Sequence, residues 1–220
     1  PVLTREASRF PDRSESYFTT VFWTKVMFGL GAYLLVVLFA NILKYPELTK
    51  TLIYVSGITM FFDSLAGAFN SIFRAKKNLI YESMGIIGSQ FITLLIGTFA
   101  LLNHWPLVWL ILAYAIPSFL NLIYISGFLK KVYGIGVRFA WNAQIFKIFI
   151  AIALPFAMAG IIGRFYSYSD SLLMSKLLSA KELGWWSVPY KIAFAFQFIP
   201  VALSASVYPV FSGLFLKDKI

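Results

Sequence analysis

Four ionisable side chains stand inside otherwise apolar stretches of this sequence: Asp63, Arg164, Asp170 and Lys176. A bare charge at the centre of a hydrocarbon layer costs about 2.5–3.5 kcal/mol on insertion scales, so each must face protein or water. At 100° per residue, Ser56, Thr59, Asp63, Gly67 and Asn70 fall within about 40° of one line, a polar stripe on an apolar helix. The stripe either borders a hydrated cavity, or its small residues let a neighbouring helix pack closely while Asp63 is neutral or paired. Gly160, Arg164, Tyr168, Ser171 and Ser175 repeat the pattern further along. Asp170 is turned roughly 120° from Arg164, so the two cannot pair along one helix. Arg164 suits an anionic group, phosphate first, because guanidinium grips it with two donors. The alternative for Arg164, Asp170 and Lys176 is a position near the outer surface, with side chains reaching into headgroups.

Gln90, Asn121 and Gln197 are single polar groups in apolar surroundings, suited to one interhelical hydrogen bond each; Gln90, Lys176 and Lys191 are the further polar groups expected inside the protein. The chain has no Cys and a single His104, so no thiolate or histidine metal cage can be assembled. A Gly-rich phosphate loop, a nucleophile elbow, a metal-binding helix signature and a close carboxylate pair are all absent from the sequence. The expectation is a protein that is not an enzyme and carries no metal or cofactor.

The elements that must hold these groups are helices in a bilayer. Of the 220 residues, 60% are hydrophobic and 13% charged, and the mean hydropathy is +0.78. A soluble domain carries about 25% charged residues, which puts a water-soluble globule out of reach. The net charge of +10 does not imply nucleic-acid binding, because the charges cluster between long apolar runs. A spanning helix needs roughly 20 apolar residues. Six segments qualify: Val26 to Leu43, Thr51 to Phe73, Ser83 to Asn103, Trp105 to Leu129 with Pro117 inside, Ile148 to about Leu178 bent near Pro155, and Ile192 to Leu216. The fold class expected is an all-α polytopic membrane protein. Its parts are a cytoplasmic loop over 1–25, four spanning helices over 26–129, a cytoplasmic interfacial linker over 130–147, two spanning helices over 148–216, and a cytoplasmic tail over 217–220.

Loop charge sets the orientation. Arg5, Arg9, Arg13, Lys25, Arg74, Lys76, Lys77, Lys130, Lys131, Arg138, Lys147, Lys217 and Lys219 fall on one side, against Lys44, Lys50, Lys181 and Lys191 on the other. Both ends of the chain are therefore expected in the cytoplasm, with the basic loops attracted to anionic lipid headgroups. Tyr133, Phe139, Trp141 and Phe146 among the charges of 130–147 suggest a segment lying in the headgroup layer. The sequence opens on Pro1 and a polar stretch, and reads as a piece of a longer protein.

From Ala153 onward, Leu154-Pro155 opens a helix, Asp170 lies near its far end, and Gly184 is followed two residues later by the aromatic Trp186. Tyr190-Lys191 then enters a helix that carries Pro200 and Pro209 and is closed by Ser212. This stretch resembles the Wzx-like oligosaccharide flippases, the polysaccharide-export branch of the multidrug/oligosaccharidyl-lipid/polysaccharide superfamily. The resemblance implies a transporter of 12–14 helices in two lobes around a central cavity, of which this chain supplies four helices of the first lobe and two of the second. It implies movement of an undecaprenyl-diphosphate-linked glycan across the cytoplasmic membrane by alternating access, for polysaccharide or lipopolysaccharide assembly such as O-antigen. The substrate path would run past Asp63, Asn70, Arg164 and Tyr168. Asp63 or Asp170 would bind and release a proton or sodium ion. The partners would be the lipid-linked glycan diphosphate, membrane lipids and a glycan polymerase of the same pathway, with no nucleic acid. Efflux of drugs on the same scaffold, a membrane-embedded glycan polymerase or transferase, and a scaffold subunit with purely structural charges are the competing readings.

Overall fold

A computed structural model describes residues 2–197, 199 and 200, without the side chains of Lys176 and Ala180. The described residues are helical and contain no strand: α1 (Val2–Arg9), a 3-10 turn (Pro11–Arg13), α2 (Ser14–Ile42), α3 (Glu47–Ala75), α4 (Ile80–Leu102), α5 (Val108–Tyr133), α6 (Ala143–Leu177) and α7 (Ala180–Phe196). Five segments are long and apolar enough to cross a membrane, namely Pro11–Ile42, Glu47–Ala75, Ile80–Leu102, Val108–Tyr133 and Ala143–Ser175. The expected sixth span begins within α7; its residues 201–216 and the expected tail at 217–220 lie outside the described residues.

Most helices outrun their apolar segments. The 29 residues of α2 extend about 43 Å at 1.5 Å per residue, against a hydrocarbon core of roughly 30 Å. The excess lies at its start, where residues expected as a loop are helical. Leu3 and Ala7 of α1 are buried, as is Phe18 of α2, and Ser14 Oγ donates to Pro11 O at 2.6 Å. Residues 2–25 are largely helical because these apolar residues find protein to bury against, although no apolar run announces it. The linker expected over 130–147 is likewise shorter. α5 continues through Lys130 and Lys131, whose charges favour a helix C-terminus, and ends at Gly134 in the left-handed region with φ 68°. α6 starts after Asn142, whose Oδ1 accepts from the backbone N–H groups of Gln144 and Ile145 at 2.9 and 3.1 Å. The residues between are fastened to α2: Trp23 Nε1 donates to Arg138 O at 2.8 Å, Arg138 pairs with Glu15 at 3.0 Å, and Trp23 meets Phe139 edge-on at 5.0 Å.

The chain folds as two compact units, Pro1–Pro155 and Phe156–Ile220. In the first, α3 packs against α2 and α5, and α5 packs against α4. The core gathers at one end, where Phe18, Phe69, Ile72, Phe73, Ile125 and Leu129 are buried together with Leu3 and Ala7 of α1. Arg74, in the last turn of α3, binds Glu82 in the first turn of α4 through both carboxylate oxygens, with Nε to Oε2 at 2.8 Å. Elsewhere the helices present apolar side chains outward: Leu34 is 66% exposed and Met60 72%. Such faces would be an aggregation liability in water and are what contact with hydrocarbon requires.

Three of the helix ends share one device. Lys44, Lys77 and His104 have φ of 49°, 56° and 53°, and the next N–H reaches back to Ala40, Phe73 and Ala100 respectively. This is the six-to-one closure that usually recruits glycine.

In the second unit, Ser179 caps α7. Its hydroxyl oxygen accepts from Glu182 N at 3.3 Å, while Glu182 Oε2 accepts from Ser179 N at 2.9 Å, a reciprocal capping box readable in the sequence Ser-Ala-Lys-Glu. The Ser179 hydrogen bonds hold the Glu182 carboxyl below its usual range. Tyr190 of α7 donates its hydroxyl proton to Ser167 O of α6 at 2.6 Å.

Candidate functional site

Asp63 lies near the middle of α3, where a charge needs polar company. The fold supplies it from two other helices. A cavity of about 160 Å³ opens between α3, α4 and α5. α3 contributes Thr59 and Asp63, α4 contributes Ser89, Gln90 and Thr93, and α5 contributes Tyr114, Ser118 and Asn121; only Ile86 and Pro117 are apolar. A larger groove of about 640 Å³ shares Gln90, Thr93 and Tyr114 with it and continues between α4 and α5 past Gly97 and Thr98 to Leu101 and Leu110. Asp63 is the single charged residue lining either one.

Local helix chemistry decides what these walls offer. Thr59 Oγ1 donates to Val55 O at 2.9 Å, Ser89 Oγ to Gly85 O at 2.7 Å, and Thr93 Oγ1 to Ser89 O at 2.9 Å. Each hydroxyl proton is thus directed at a main-chain carbonyl, with Pro117 O of α5 a second acceptor 3.5 Å from Ser89 Oγ, which leaves the oxygens as acceptors. Asp63 has no hydrogen-bond or ion-pair partner among the described residues. Pro117 has no N–H to give to Ala113 O, so α5 lacks one helix bond beside the cavity. Asn121 comes so close to Gly85 that a Cβ there would overlap its Oδ1. Alanine at that point would push the Asn121 amide out of its place beside α4.

The stripe expected along α3 is shared between two faces. Thr59 and Asp63 border the cavity. Gly67 faces α2, where a Cβ would sit 3.7 Å from Lys25 Nζ, and that ammonium donates to Ser64 O at 2.6 Å. Ser64 is turned about 100° from Asp63, so Lys25 lies on the α2 side and forms no ion pair with Asp63 among the described contacts. Asn70 Oδ1 is buried with no hydrogen-bond partner among the described residues. Gln90 joins Asp63 in the cavity; Asn70 does not line it.

In the second unit, Arg164 Nη1 reaches Tyr168 Oη at 3.4 Å, with the guanidinium 6.0 Å from the ring centroid. Asp170 Oδ1 accepts from Ser171 N at 2.7 Å and forms no ion pair with Arg164 among the described contacts. Lys191 is exposed on α7, and the Lys176 side chain lies outside the described residues. Among the described residues no group of three or more His, Asp or Glu side chains is placed to hold a metal ion.

Sequence reasoning named Gln90 of α4 and Asn121 of α5 as single polar groups but missed Ser89, Thr93, Tyr114 and Ser118 beside them. The signal was present: Ser89 and Thr93 are four apart, and Tyr114, Ser118 and Asn121 are spaced by four and three, each set on one helical face. The Arg74–Glu82 pair was missed because Glu82 stands at the edge of an apolar run and reads as a loop charge.

No curated protein and no solved structure matches the chain. One family profile does, over nearly the whole length. With residues 2–215 matched, the chain belongs to the polysaccharide biosynthesis protein family.

Proposed function

We propose that this chain is part of a flippase that carries an undecaprenyl-diphosphate-linked oligosaccharide across the cytoplasmic membrane by alternating access. No bond is made or broken; the work is passage of a hydrated headgroup through hydrocarbon. Unescorted, that headgroup would lose its hydrogen bonds to water at a cost of several kcal/mol per polar group. One observation carries the reading: a polar cavity with a single carboxylate lies among three helices whose outer faces are apolar. Membership of the polysaccharide biosynthesis family supports a glycan as the cargo. Arg164 and Tyr168 contribute the cationic part of the path, and Asp63 or Asp170 takes up the coupling proton or sodium ion. Both ends of the chain face the cytoplasm, with the basic loops.

The test is complementation of a flippase-deficient strain by the intact protein, read as surface glycan. Asp63→Asn and Arg164→Ala abolish export at unchanged protein abundance, while Asp63→Glu retains part of it. Full export by all three variants would refute the proposal. Because Asp63 is the cavity's single charge, efflux of cationic drugs is the reading to set against it. Raised drug resistance without surface glycan would identify that activity instead.

A further inference from the structure

The cavity at Asp63 has a chemical bias that the proposed transport reaction does not by itself require. Its walls are rich in acceptors. Ser89 and Thr93 direct their protons at main-chain carbonyls, and Asp63 adds a carboxylate with no partner among the described residues. Donors come from the amides of Gln90 and Asn121 and the hydroxyls of Tyr114 and Ser118. No Lys, Arg or His lines the cavity or the groove that continues from it. An ionised diphosphate is acceptor-only and would meet like charge and lone pairs here. A sugar ring matches the wall, because each of its hydroxyls donates and accepts at once. A bare cation would satisfy the same acceptors, but about 160 Å³ is room for at least about five waters, far more than one ion fills.

We infer that the α3–α4–α5 cavity is a subsite for the uncharged, hydroxyl-rich part of the cargo, and that it excludes the diphosphate. The assignment rests on the transport reading and adds to it a division of labour. The sugar is held at Asp63, Gln90, Ser118 and Asn121, the phosphates are held by a cation elsewhere in the protein, and of the two carboxylates offered for the coupling ion this leaves Asp170. Recognition at this subsite is accordingly insensitive to salt, since no ion pair forms.

The probe is the neutral oligosaccharide released by mild acid from the lipid-linked precursor of the producing cells. Its binding to the intact protein in nanodiscs is followed by saturation-transfer NMR and calorimetry, beside inorganic pyrophosphate and sodium chloride. Gln90→Leu and Ser118→Ala are chosen because the first is near-isosteric at an exposed position and the second removes one atom. Each weakens glycan binding by about tenfold, the cost of leaving a polar group unpaired, and pyrophosphate binding is unchanged. Glycan binding unaltered by both variants, or pyrophosphate binding weakened instead, overturns the subsite. So does loss of glycan binding on adding sodium, which would make the cavity a cation site. If surface glycan is still exported in any of these cases, transport stands and only the subsite falls; if the wild-type protein neither binds glycan nor restores export, both fall.

Discussion

Replacing Gly85 by alanine tests the geometry of the cavity directly. The added Cβ would lie closer to Asn121 Oδ1 than the 3.0 Å that real Cβ contacts respect, and 3.3 Å from Tyr124 Cε1. The amide must leave its place, or α4 must move away from α5. Overpacking of this kind costs about 1–3 kcal/mol, and for a chain of this size each kcal/mol moves the melting temperature by about 2–4 °C. Alanine's own helix propensity offsets about 0.5–1 kcal/mol of this, so Gly85→Ala lowers it by up to about 10 °C, measured on the intact protein in detergent by size-exclusion thermostability. The control lies on the same helix. Gly88 and Gly97 have no atom within 4 Å of a built Cβ, so alanine there gains helix propensity of about 0.5–1 kcal/mol. The double variant Gly85→Ala/Asn121→Ala removes the clash and recovers most of the lost stability, while still impairing export. Gly85→Ala as stable as Gly88→Ala would show that α4 and α5 do not approach as described, and the cavity would lose its third wall.

Two further outcomes follow from the helix ends. The Glu82 side chain is 7% exposed and Arg74 53%, so the two halves of this pair are not equivalent: Arg74→Ala strands a buried carboxylate at about 3 kcal/mol, whereas Glu82→Gln frees a side chain that water reaches and costs about 1 kcal/mol. Equal losses in denaturant unfolding would contradict that asymmetry. His104→Gly and Lys44→Gly relieve a left-handed backbone and each stabilise by roughly 0.5–1 kcal/mol, while His104→Val destabilises; a melting temperature that falls for both glycine variants would refute the assigned closure.

The sequence made the helices legible because hydrocarbon imposes a composition that water does not. Val26 to Leu43 or Ser83 to Asn103 can hardly be anything other than spanning segments. What it concealed was where helices continue beyond the hydrocarbon. Ser14 to Lys25 is polar enough to read as a loop, yet Phe18 anchors it in the core with no exposure at all. The periodicity around Phe18 is too short to stand out against the long runs that follow. The boundary between the compact units fell at Pro155, a residue the sequence marks, and not at the charged linker, because that linker is tied to α2 by Trp23 and Glu15.

The site was legible as depth and illegible as direction. That Asp63 is at mid-membrane follows from counting residues; that its neighbours are Ser89, Gln90, Ser118 and Asn121 follows from which helices flank α3. Helical periodicity places Gly67 and Asp63 on one stripe, yet α2 and α5 divide that stripe between them. Gly67 then serves the approach of Lys25 while Asp63 serves the cavity. Lys25 shows the same limit most sharply. Counted among the loop charges, it turns inward and donates a hydrogen bond to a main-chain carbonyl one residue from Asp63, on the face where no carboxylate waits. A four-carbon stem reaches several ångströms along the helix in either direction. The residue number of a lysine therefore fixes its charge on the chain but not the place where that charge is felt.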